Sequence, residues 1–569
     1  MTRIATVSLV ALALAGCATL PATQPAASAQ ASVGAVSAAD PRAQEAGEEI
    51  LRKGGSATDA AIAVMLALTV VEPQSSGIGG GGFLVRGEAD GDVTTFDGRE
   101  TAPAGATPDW FLAGDGSVPP FIESVRSGLS VGVPGNIALA AKAHGEHGRL
   151  AWAELFKPSI RLAREGFRIN PRMHDALGRS RTTAAHSAAA QAMYYNASGE
   201  PLPAGTLVRN EELARTFEKI AAGGAEAFYK GEHALAIATT VAADTPKPGA
   251  MTYSDVTGYE AKVRGAVCSS YRAYRICSMG PPTSGGIAVQ QILGQLERFD
   301  LRALGADNPV TWHLFVEAQR LAYADRELYL ADSDFVSVPV AGLLEKSYLA
   351  QRSALISPDR SIEVAEAGRP RGAPIALADG DEPEEHGTSH LAVVDGEGTM
   401  VSYTSTIESA FGSGLMVGGY YLNNELTDFS RSPQVNGRLV ANRVEGGKRP
   451  RSSMSPTVVY DPQGNAFMVV GAAGGSTIPI TTTRAIIGAI DFGLDAEEAL
   501  GLPFLMAFGE RVLLEEGTWL EEKADAFRAL GHTQLMIRPA PIKGGALVKR
   551  DGRWQSARDP RLEGQLDMP

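Results

Sequence analysis

The order of apolar and polar residues predicts a helix-rich first part of the chain. Asp40-Pro41 is a typical helix start, with a capping aspartate and a proline at the first helical position, and Gly54-Gly55 is a typical helix end. Ser56-Ala-Thr-Asp59 predicts a second start with a capping box. The apolar run from Ala60 to Val71 that follows is too short to cross a bilayer, so we expect a buried helix.

Helical spacing of apolar residues continues through residues 137–230, resumes after Gly286 and predicts a long helix from Thr311 to Leu328. In the last part of the chain the period changes to two. Leu391–Asp395 and Met400–Thr404 then predict two strands joined by a tight turn. The last part is therefore expected to be rich in sheet.

A change in composition precedes that first strand. From Glu363 to Gly387 the chain is rich in proline, glycine, alanine and acidic residues, which predicts a linker, and it ends in Glu385-His386 before the glycine. The strand then opens with Thr388-Ser389-His390. A hydroxyl directly after a glycine peptide bond suits self-cleavage. We interpret Gly387–Thr388 as a bond that the protein cuts itself, with Thr388 as the new N-terminus and nucleophile.

Three other motifs are better explained by a structural role than by catalysis or ligand binding. The glycine-rich run from Gly77 to Phe83 leads into a strand and lacks a following Gly-Lys-Ser/Thr, so it predicts close backbone packing and not a nucleotide site. Ser284 lacks the Gly-x-Ser-x-Gly turn of serine hydrolases. Arg99 lies at a predicted strand end, where a lone arginine is most often a surface ion-pair partner.

The N-terminus predicts a targeting signal. Arg3 precedes an apolar run from Ile4 to Leu14 that ends in Leu-Ala-Gly-Cys17, the pattern of a lipoprotein signal peptide spanning residues 1–17, with Cys17 as the lipidated residue. An ordinary secretory signal with an incidental cysteine is the alternative. Residues 18–35 are of low complexity and predict a tether. We expect a periplasmic protein that is held by lipid to a bacterial membrane, the outer membrane in our interpretation.

Composition narrows the class of protein. The chain has 569 residues, 44% of them hydrophobic and 20% charged, as in globular proteins. A net charge of -14 without a basic cluster argues against a protein that binds nucleic acid.

Cys268 and Cys277 would lie opposite each other if Arg272-Ala273 form a hairpin turn. They then either form a cross-strand disulfide or remain two free buried thiols.

Several motifs together resemble one family. The motifs that carry the resemblance are Gly387-Thr388-Ser389-His390, Arg451-Ser452-Ser453, Ser75–Phe83, Pro282–Gly286 and Ala322–Arg326. The chain resembles the γ-glutamyltransferases (γ-glutamyl transpeptidases), members of the N-terminal-nucleophile hydrolase superfamily, from about residue 34 to the C-terminus. The resemblance implies an α+β fold, a four-layer αββα sandwich. It also implies cleavage into a large subunit, residues 36–387 after the tether, and a small subunit, residues 388–569, that remain one compact body.

The resemblance also implies which residues act as the nucleophile, the base and the oxyanion hole. The freed α-amine of Thr388 would serve as base for its own hydroxyl, because an α-amine has a pKa near 8. Thr406 would lie beside that hydroxyl and tune it. The backbone amides of Gly474 and Gly475 would form the oxyanion hole.

It also implies how the γ-glutamyl group is bound. Arg99 would pair with the α-carboxylate, with hydrogen bonds from Ser452 and Ser453, which replaces the surface interpretation of this arginine. Asp428 would hold the α-amine, and Glu425 would assist it.

Two features depart from the family pattern. Glu408 stands where many transpeptidases have asparagine, so three carboxylates would face the substrate amine. The segment from Ser430 to Lys448, which we call the lid, looks short and contains no aromatic residue. Hydrolysis is therefore expected to compete well with transfer.

The expected activity is hydrolysis and transfer of γ-glutamyl amides such as glutathione, through a γ-glutamyl ester on Thr388, to water or to an amino acid or peptide acceptor. No metal or organic cofactor is expected. An acylase of the same fold that cleaves a glutaryl-type amide is the first alternative. A lipoprotein that only binds its ligand is the second.

Overall fold

Two six-stranded antiparallel sheets lie at the centre of the fold. The computed structural model describes residues 1–2, 34–374, 377–378, 380, 387–541 and 543–566. Residues 3–17 of the predicted signal peptide, which include Cys17, lie outside the described residues, as do residues 18–33 of the tether and Glu385-His386.

The first sheet carries the predicted cleavage site. Its order is β1-β10-β11-β2-β3-β6. These strands are β1 Gly34–Ala38, β2 Gly81–Gly87, β3 Val93–Asp97, β6 Lys262–Gly265, β10 Gly387–Asp395 and β11 Met400–Glu408.

The second sheet has the order β22-β21-β17-β16-β8-β7. Its strands are β7 Val267–Tyr271, β8 Tyr274–Ser278, β16 Thr457–Tyr460, β17 Ala466–Ala473, β21 Lys543–Arg550 and β22 Arg553–Arg558.

Smaller sheets lie around these two. They are formed by β4 Phe167–Arg168 with β5 Leu207–Val208, by β9 Leu377–Ala378 with β14 Gln434–Val435 and β15 Arg438–Val440, by β12 Met416–Val417 with β13 Tyr420–Tyr421, and by β18 Leu505–Phe508 with β19 Arg511–Glu515 and β20 Gln534–Arg538.

Helices make up most of the remaining regular structure. They are α1 Pro41–Arg52, α2 Ala57–Val71, α3 Phe121–Val125, α4 Asn136–His147, α5 Trp152–Glu165, α6 Pro171–Arg179, α7 Arg181–Ala184, α8 Ala188–Tyr194, α9 Glu211–Gly223, α10 Glu226–Tyr229, α11 Gly231–Ala243, α12 Tyr253–Thr257, α13 Gly285–Leu296, α14 Leu301–Leu304, α15 Pro309–Tyr329, α16 Val340–Leu343, α17 Lys346–Ser353, α18 Ile478–Ile490, α19 Ala496–Gly501, α20 Trp519–Glu522, α21 Ala524–Ala529 and α22 Pro560–Leu566. Short 3-10 turns cover Gly128–Ser130, Glu425–Asp428 and Gly475–Thr477.

Alternating side chains distribute the strands among three cores. Phe83 and Val394 of the first sheet meet Val458 and Leu547 of the second in a core between the sheets. The opposite face of the first sheet packs on α1, α2 and their neighbours, and the opposite face of the second packs on α13, α15 and α18. The layers are therefore helix, sheet, sheet and helix, which confirms the predicted αββα sandwich.

Local predictions near the N-terminus are mostly confirmed. Asp40 caps α1, and Ser56 with Asp59 forms the predicted capping box of α2. Every residue of α2 is buried. The tether prediction extends two residues too far, because Gly34 and Ala35 already pair with β10 in the first sheet. From Gly34 onward the described residues form one compact unit, which includes the described parts of both predicted subunits.

The two cysteines are joined. Cys268 of β7 pairs with Cys277 of β8, and their sulfur atoms form a disulfide. The hairpin turn is Arg272-Ala273, as predicted, and both residues have positive φ angles, 49° and 67°, as a two-residue turn of this type requires. Among the described residues, no helix combines the length and apolar character needed to cross a membrane.

Candidate active site

The predicted cleavage site lies where β10 begins. Gly387 pairs with Glu408 and Thr388 with Thr406 across the first sheet, with an irregular register between the two pairs. The Thr388 hydroxyl donates to the Gly387 carbonyl oxygen at 2.6 Å, and the Thr406 hydroxyl donates to the same oxygen at 2.8 Å. The Glu408 amide donates to Thr406 Oγ1 at 2.7 Å and orients it. Two hydroxyls therefore polarise one carbonyl group.

This geometry suits an N-to-O acyl shift. Thr388 Oγ1 would attack the Gly387 carbonyl carbon, and Thr406 would stabilise the negative charge that develops on its oxygen. The C–N bond then breaks, the nitrogen takes up a proton to become the α-amine of Thr388, and water hydrolyses the resulting ester. Thr388 Oγ1 lies 3.3 Å from Thr406 Oγ1, so the two hydroxyls remain neighbours after cleavage.

The glycine-rich run packs against this strand pair, as predicted. A Cβ atom at Gly80 would overlap the Thr406 carbonyl oxygen, and one at Gly79 would overlap the Tyr421 carbonyl oxygen. Side chains here would push β11 away from its neighbours. The run therefore serves backbone packing next to the cleavage site.

Gly474 and Gly475 directly follow β17, and Gly475 begins the 3-10 turn that precedes α18. Their φ angles are 122° and 57°, a region that side chains other than glycine rarely adopt. Successive backbone amides in a turn can form a concave anion-binding site, which suits the predicted oxyanion hole. Ala473, the preceding residue, pairs with Lys543, and Lys543 Nζ donates to the Thr388 carbonyl oxygen at 2.7 Å. The two glycines therefore directly follow Ala473, whose strand partner Lys543 contacts Thr388.

Lys543 belongs to a buried polar network that the sequence did not reveal. Its ammonium group also lies 3.3 Å from Ser75 Oγ, which accepts a hydrogen bond from Arg172. Arg172 forms an ion pair with Glu72, and Glu72 accepts a hydrogen bond from the Ser389 hydroxyl at 2.8 Å. Burial, and then the charge of Arg172, lower the pKa of Lys543 well below its usual range. The network fixes the first residues of β10.

Three residues predicted to bind the γ-glutamyl group lie together, and we call them the clamp: Arg99, Glu425 and Asp428. Arg99 forms ion pairs with Glu425 through Nη1 and with Asp428 through Nη2. It also donates to the carbonyl oxygens of Pro450 at 3.2 Å and Arg451 at 3.0 Å. The side chain is only 1% exposed, so it is not the surface residue that strand-end position alone suggested.

Glu100, which the sequence analysis missed, adds a further buried carboxyl group beside the clamp. Burial raises its pKa to about 8, although the charge of Arg99 opposes the shift. Burial also raises the pKa of Glu425 well above its usual range, again against Arg99. Near neutral pH Glu100 therefore favours its protonated form. An amino-acid head group could exchange partners here, its carboxylate with Arg99 and its ammonium with Asp428.

Ser452 and Ser453 directly follow Arg451 and are buried. Ser453 Oγ accepts a hydrogen bond from Arg326 at 2.6 Å, and the Ser452 carbonyl oxygen accepts one from the Ser284 hydroxyl at 2.7 Å. Arg326 also donates to Ser284 Oγ at 2.8 Å. Ser284 therefore positions the serine pair, which agrees with its exclusion as a nucleophile.

Glu408 ends β11 with a φ angle of 73° and lies opposite Gly387 across the strand pair.

In the lid, β14 and β15 form a hairpin with exposed Val435 and Leu439. Lys448 closes the lid through hydrogen bonds from its buried ammonium group to the Ala441 and Arg443 carbonyl oxygens.

Two neighbouring cavities lie beside the turn that contains Gly474 and Ser476. One of about 190 Å³ is lined by Gly474 and Thr477, and one of about 370 Å³ by Tyr323 and Glu327. Both share Ser476 and Phe508, so they are adjacent. They offer room for the part of an amide substrate beyond the scissile bond.

Comparison with known proteins agrees with this geometry. The family model described as gamma-glutamyltranspeptidase matches residues 43–568. The chain belongs to the γ-glutamyltranspeptidase family. It is 39% identical to a glutathione hydrolase proenzyme of Bacillus subtilis (83% of this chain, 80% of the relative) and 35% identical to one of Escherichia coli (94% and 91%).

A solved structure extends the family comparison to the whole fold. The cephalosporin acylase of Bacillus halodurans superimposes with a TM-score of 0.79 at 26% identity, over 96% of this chain and 98% of the acylase. The family membership and this similarity confirm the N-terminal-nucleophile hydrolase fold and an enzyme of this type. The roles of the individual site residues remain predictions.

Proposed function

We propose that this protein is a self-processing γ-glutamyl hydrolase and transferase. It cleaves γ-glutamyl amides such as glutathione and passes the acyl group, held as an ester on Thr388, to water or to an amino acid or peptide. The observation that carries the proposal is the shared Gly387 carbonyl oxygen, which accepts hydrogen bonds from both Thr388 and Thr406. The relatives in Bacillus and Escherichia, both glutathione hydrolase proenzymes, support the same activity and maturation.

The ion pairs of the clamp support an α-amino acid as the acyl donor. Arg99 can bind a carboxylate in a bidentate manner, and Asp428 with Glu425 can accept an ammonium group. Arg99 pairs with Asp428 and Glu425, so a bound α-amino acid would exchange these internal ion pairs for ion pairs with its own head group. Glu408, beside the cleavage site, would then influence the donor preference through its charge.

A glutaryl-type acylase is the second candidate, favoured by the structural similarity to a cephalosporin acylase. A glutaryl group has a carboxylate in place of the amino-acid head, and it would leave Asp428 and Glu425 without an ammonium partner. The clamp therefore favours the γ-glutamyl donor.

Matched anilide substrates distinguish the two activities. Hydrolysis of γ-glutamyl and glutaryl anilides is measured with the processed protein, with and without glycylglycine as acceptor. We expect the γ-glutamyl compound to react much faster and glycylglycine to raise its turnover. Equal turnover of the glutaryl compound would contradict the proposed role of Asp428.

The proposal includes a location. The Leu-Ala-Gly-Cys17 motif supports a lipid-anchored periplasmic enzyme. Wild type and Cys17→Ala, expressed in a Gram-negative host, are compared by detergent phase partitioning. Wild type should enter the detergent phase and the variant the aqueous phase; partition of both into the aqueous phase would contradict lipidation.

A further inference from the structure

A second group of buried ligating side chains lies away from the clamp, on the first half of α15. His313 and Glu317 are one turn apart and share a face of this helix, and His532 approaches from the loop between α21 and β20. Their relative exposures are 0%, 0% and 3%. The activity described above uses none of the three.

The hydrogen bonds of His313 define its tautomer. Its Nε2 lies 2.8 Å from the Ser357 carbonyl oxygen, which can only accept, so Nε2 carries the hydrogen. The Nδ1 lone pair then faces His532 Nε2 at 2.7 Å. A carbonyl oxygen on the outer nitrogen is the usual support of a metal-binding histidine.

Glu317 is held in a fixed orientation at the same point. One of its oxygens accepts from Arg320 and the other from the Ile362 amide. Each oxygen has a second lone pair that can bind a cation. Arg320 also pairs with Glu510, so the two carboxylates outweigh the single guanidinium by one negative charge.

We propose that His313, Glu317 and His532 bind one divalent transition-metal ion of the zinc class. One ligand atom from each residue lies within 4.8 Å of the others. Zinc ligand bonds of about 2.0–2.2 Å place two ligand atoms about 3.3–3.6 Å apart in a tetrahedral site, so small side-chain shifts would suffice. Two imidazoles and one carboxylate suit zinc, and a solvent molecule would complete the coordination.

The ion would stabilise structure and take no part in the reaction. Arg326, thirteen residues beyond His313 on α15, donates to Ser453 in the candidate active site. At the rise of an α-helix this separation is about 20 Å. The ion would join the start of α15 to the loop at His532 and hold the helix that positions Arg326.

The test uses processed protein without a histidine tag, stripped with a chelator and dialysed. Zn²⁺ binding is measured by calorimetry and metal analysis, and Co²⁺ binding by its visible absorption. We expect one tightly held ion per chain, tetrahedral-type Co²⁺ absorption and an unfolding temperature that rises with Zn²⁺. His532→Gln and Glu317→Gln should weaken Zn²⁺ binding by at least about 100-fold, since loss of an outer-shell partner alone costs 10–100-fold. His186→Gln, a change outside the cluster, should leave it unchanged.

A wild-type protein that binds no stoichiometric Zn²⁺ or Co²⁺ would overturn the proposal without any variant, and it would identify the cluster as a neutral histidine pair. Equal affinity in wild type and a folded His532→Gln protein would also overturn it. Near-UV circular dichroism and self-cleavage in metal-free buffer establish that the variants are folded. Should His532→Gln not fold, Glu317→Gln provides the same comparison.

Discussion

Replacing Thr406 by valine tests the cleavage geometry most sharply. Valine keeps the shape of the side chain and removes the hydroxyl that donates to the Gly387 carbonyl oxygen at 2.8 Å. Loss of one oxyanion donor typically slows a reaction about 10²–10³-fold, or about 2.7–4 kcal/mol. Because this hydrogen bond already exists before the attack, only its strengthening in the transition state counts. We therefore expect self-cleavage to slow about 10²-fold.

The assay follows the precursor and its two fragments by denaturing electrophoresis after cell-free synthesis. Thr406→Ser keeps a hydroxyl and should cleave at a rate near that of wild type. Thr404→Val removes a hydroxyl from the same face of β11, where it contacts His390 and not Gly387, and should also cleave normally. Cleavage of Thr406→Val at the wild-type rate would refute the assigned role, and equal slowing of Thr404→Val would attribute the effect to general destabilisation.

Three further outcomes follow from the same site. In Gly474→Ala the new Cβ atom would lie 2.7 Å from Thr477 Oγ1. This variant should turn over a γ-glutamyl anilide about 10²–10³-fold more slowly but still cleave itself. Unchanged turnover would contradict the assignment of Gly474 to the oxyanion hole. Asp428→Asn should lower kcat/KM for the γ-glutamyl anilide by at least about 30-fold, equivalent to about 2 kcal/mol, and spare any glutaryl turnover. The pKa of Glu100 is about 4.3 in the unfolded chain and about 8 in the folded protein, so between these pH values the folded protein holds an extra proton. The free energy of unfolding should therefore fall as the pH rises from about 4.3 to about 8. Urea titrations at several pH values should show that the free energy of unfolding falls less steeply with pH in Glu100→Gln than in wild type. An identical pH dependence in the two proteins would contradict the raised pKa.

Short-range features were predictable from the sequence because neighbouring residues determine them. The caps of α1 and α2 and the hairpin between the cysteines depend on residues a few positions apart. The start of β10 at Gly387 follows from the change in composition there. In each case local chemistry and the final fold agree.

The clamp depends on long-range contacts that no periodicity reveals. Arg99 and Asp428 are 329 positions apart, and the resemblance to the family, not the pattern around Arg99, indicated their meeting. Lys543 gave no signal, because a lysine at the start of a strand usually faces solvent. Glu100 was missed because only its burial and its position beside Arg99 distinguish it from a surface glutamate.

The central claim is that Thr388 is first the cleaving residue and then the catalytic N-terminus. Intact mass and N-terminal sequencing of the purified protein test it most directly, together with Thr388→Ala. The account predicts a wild-type fragment that begins at Thr388 and gains the mass of one γ-glutamyl group during turnover, and an uncut, inactive variant. Full-length chain alone in wild type, a fragment that begins elsewhere, or retained amidase activity in Thr388→Ala would contradict it.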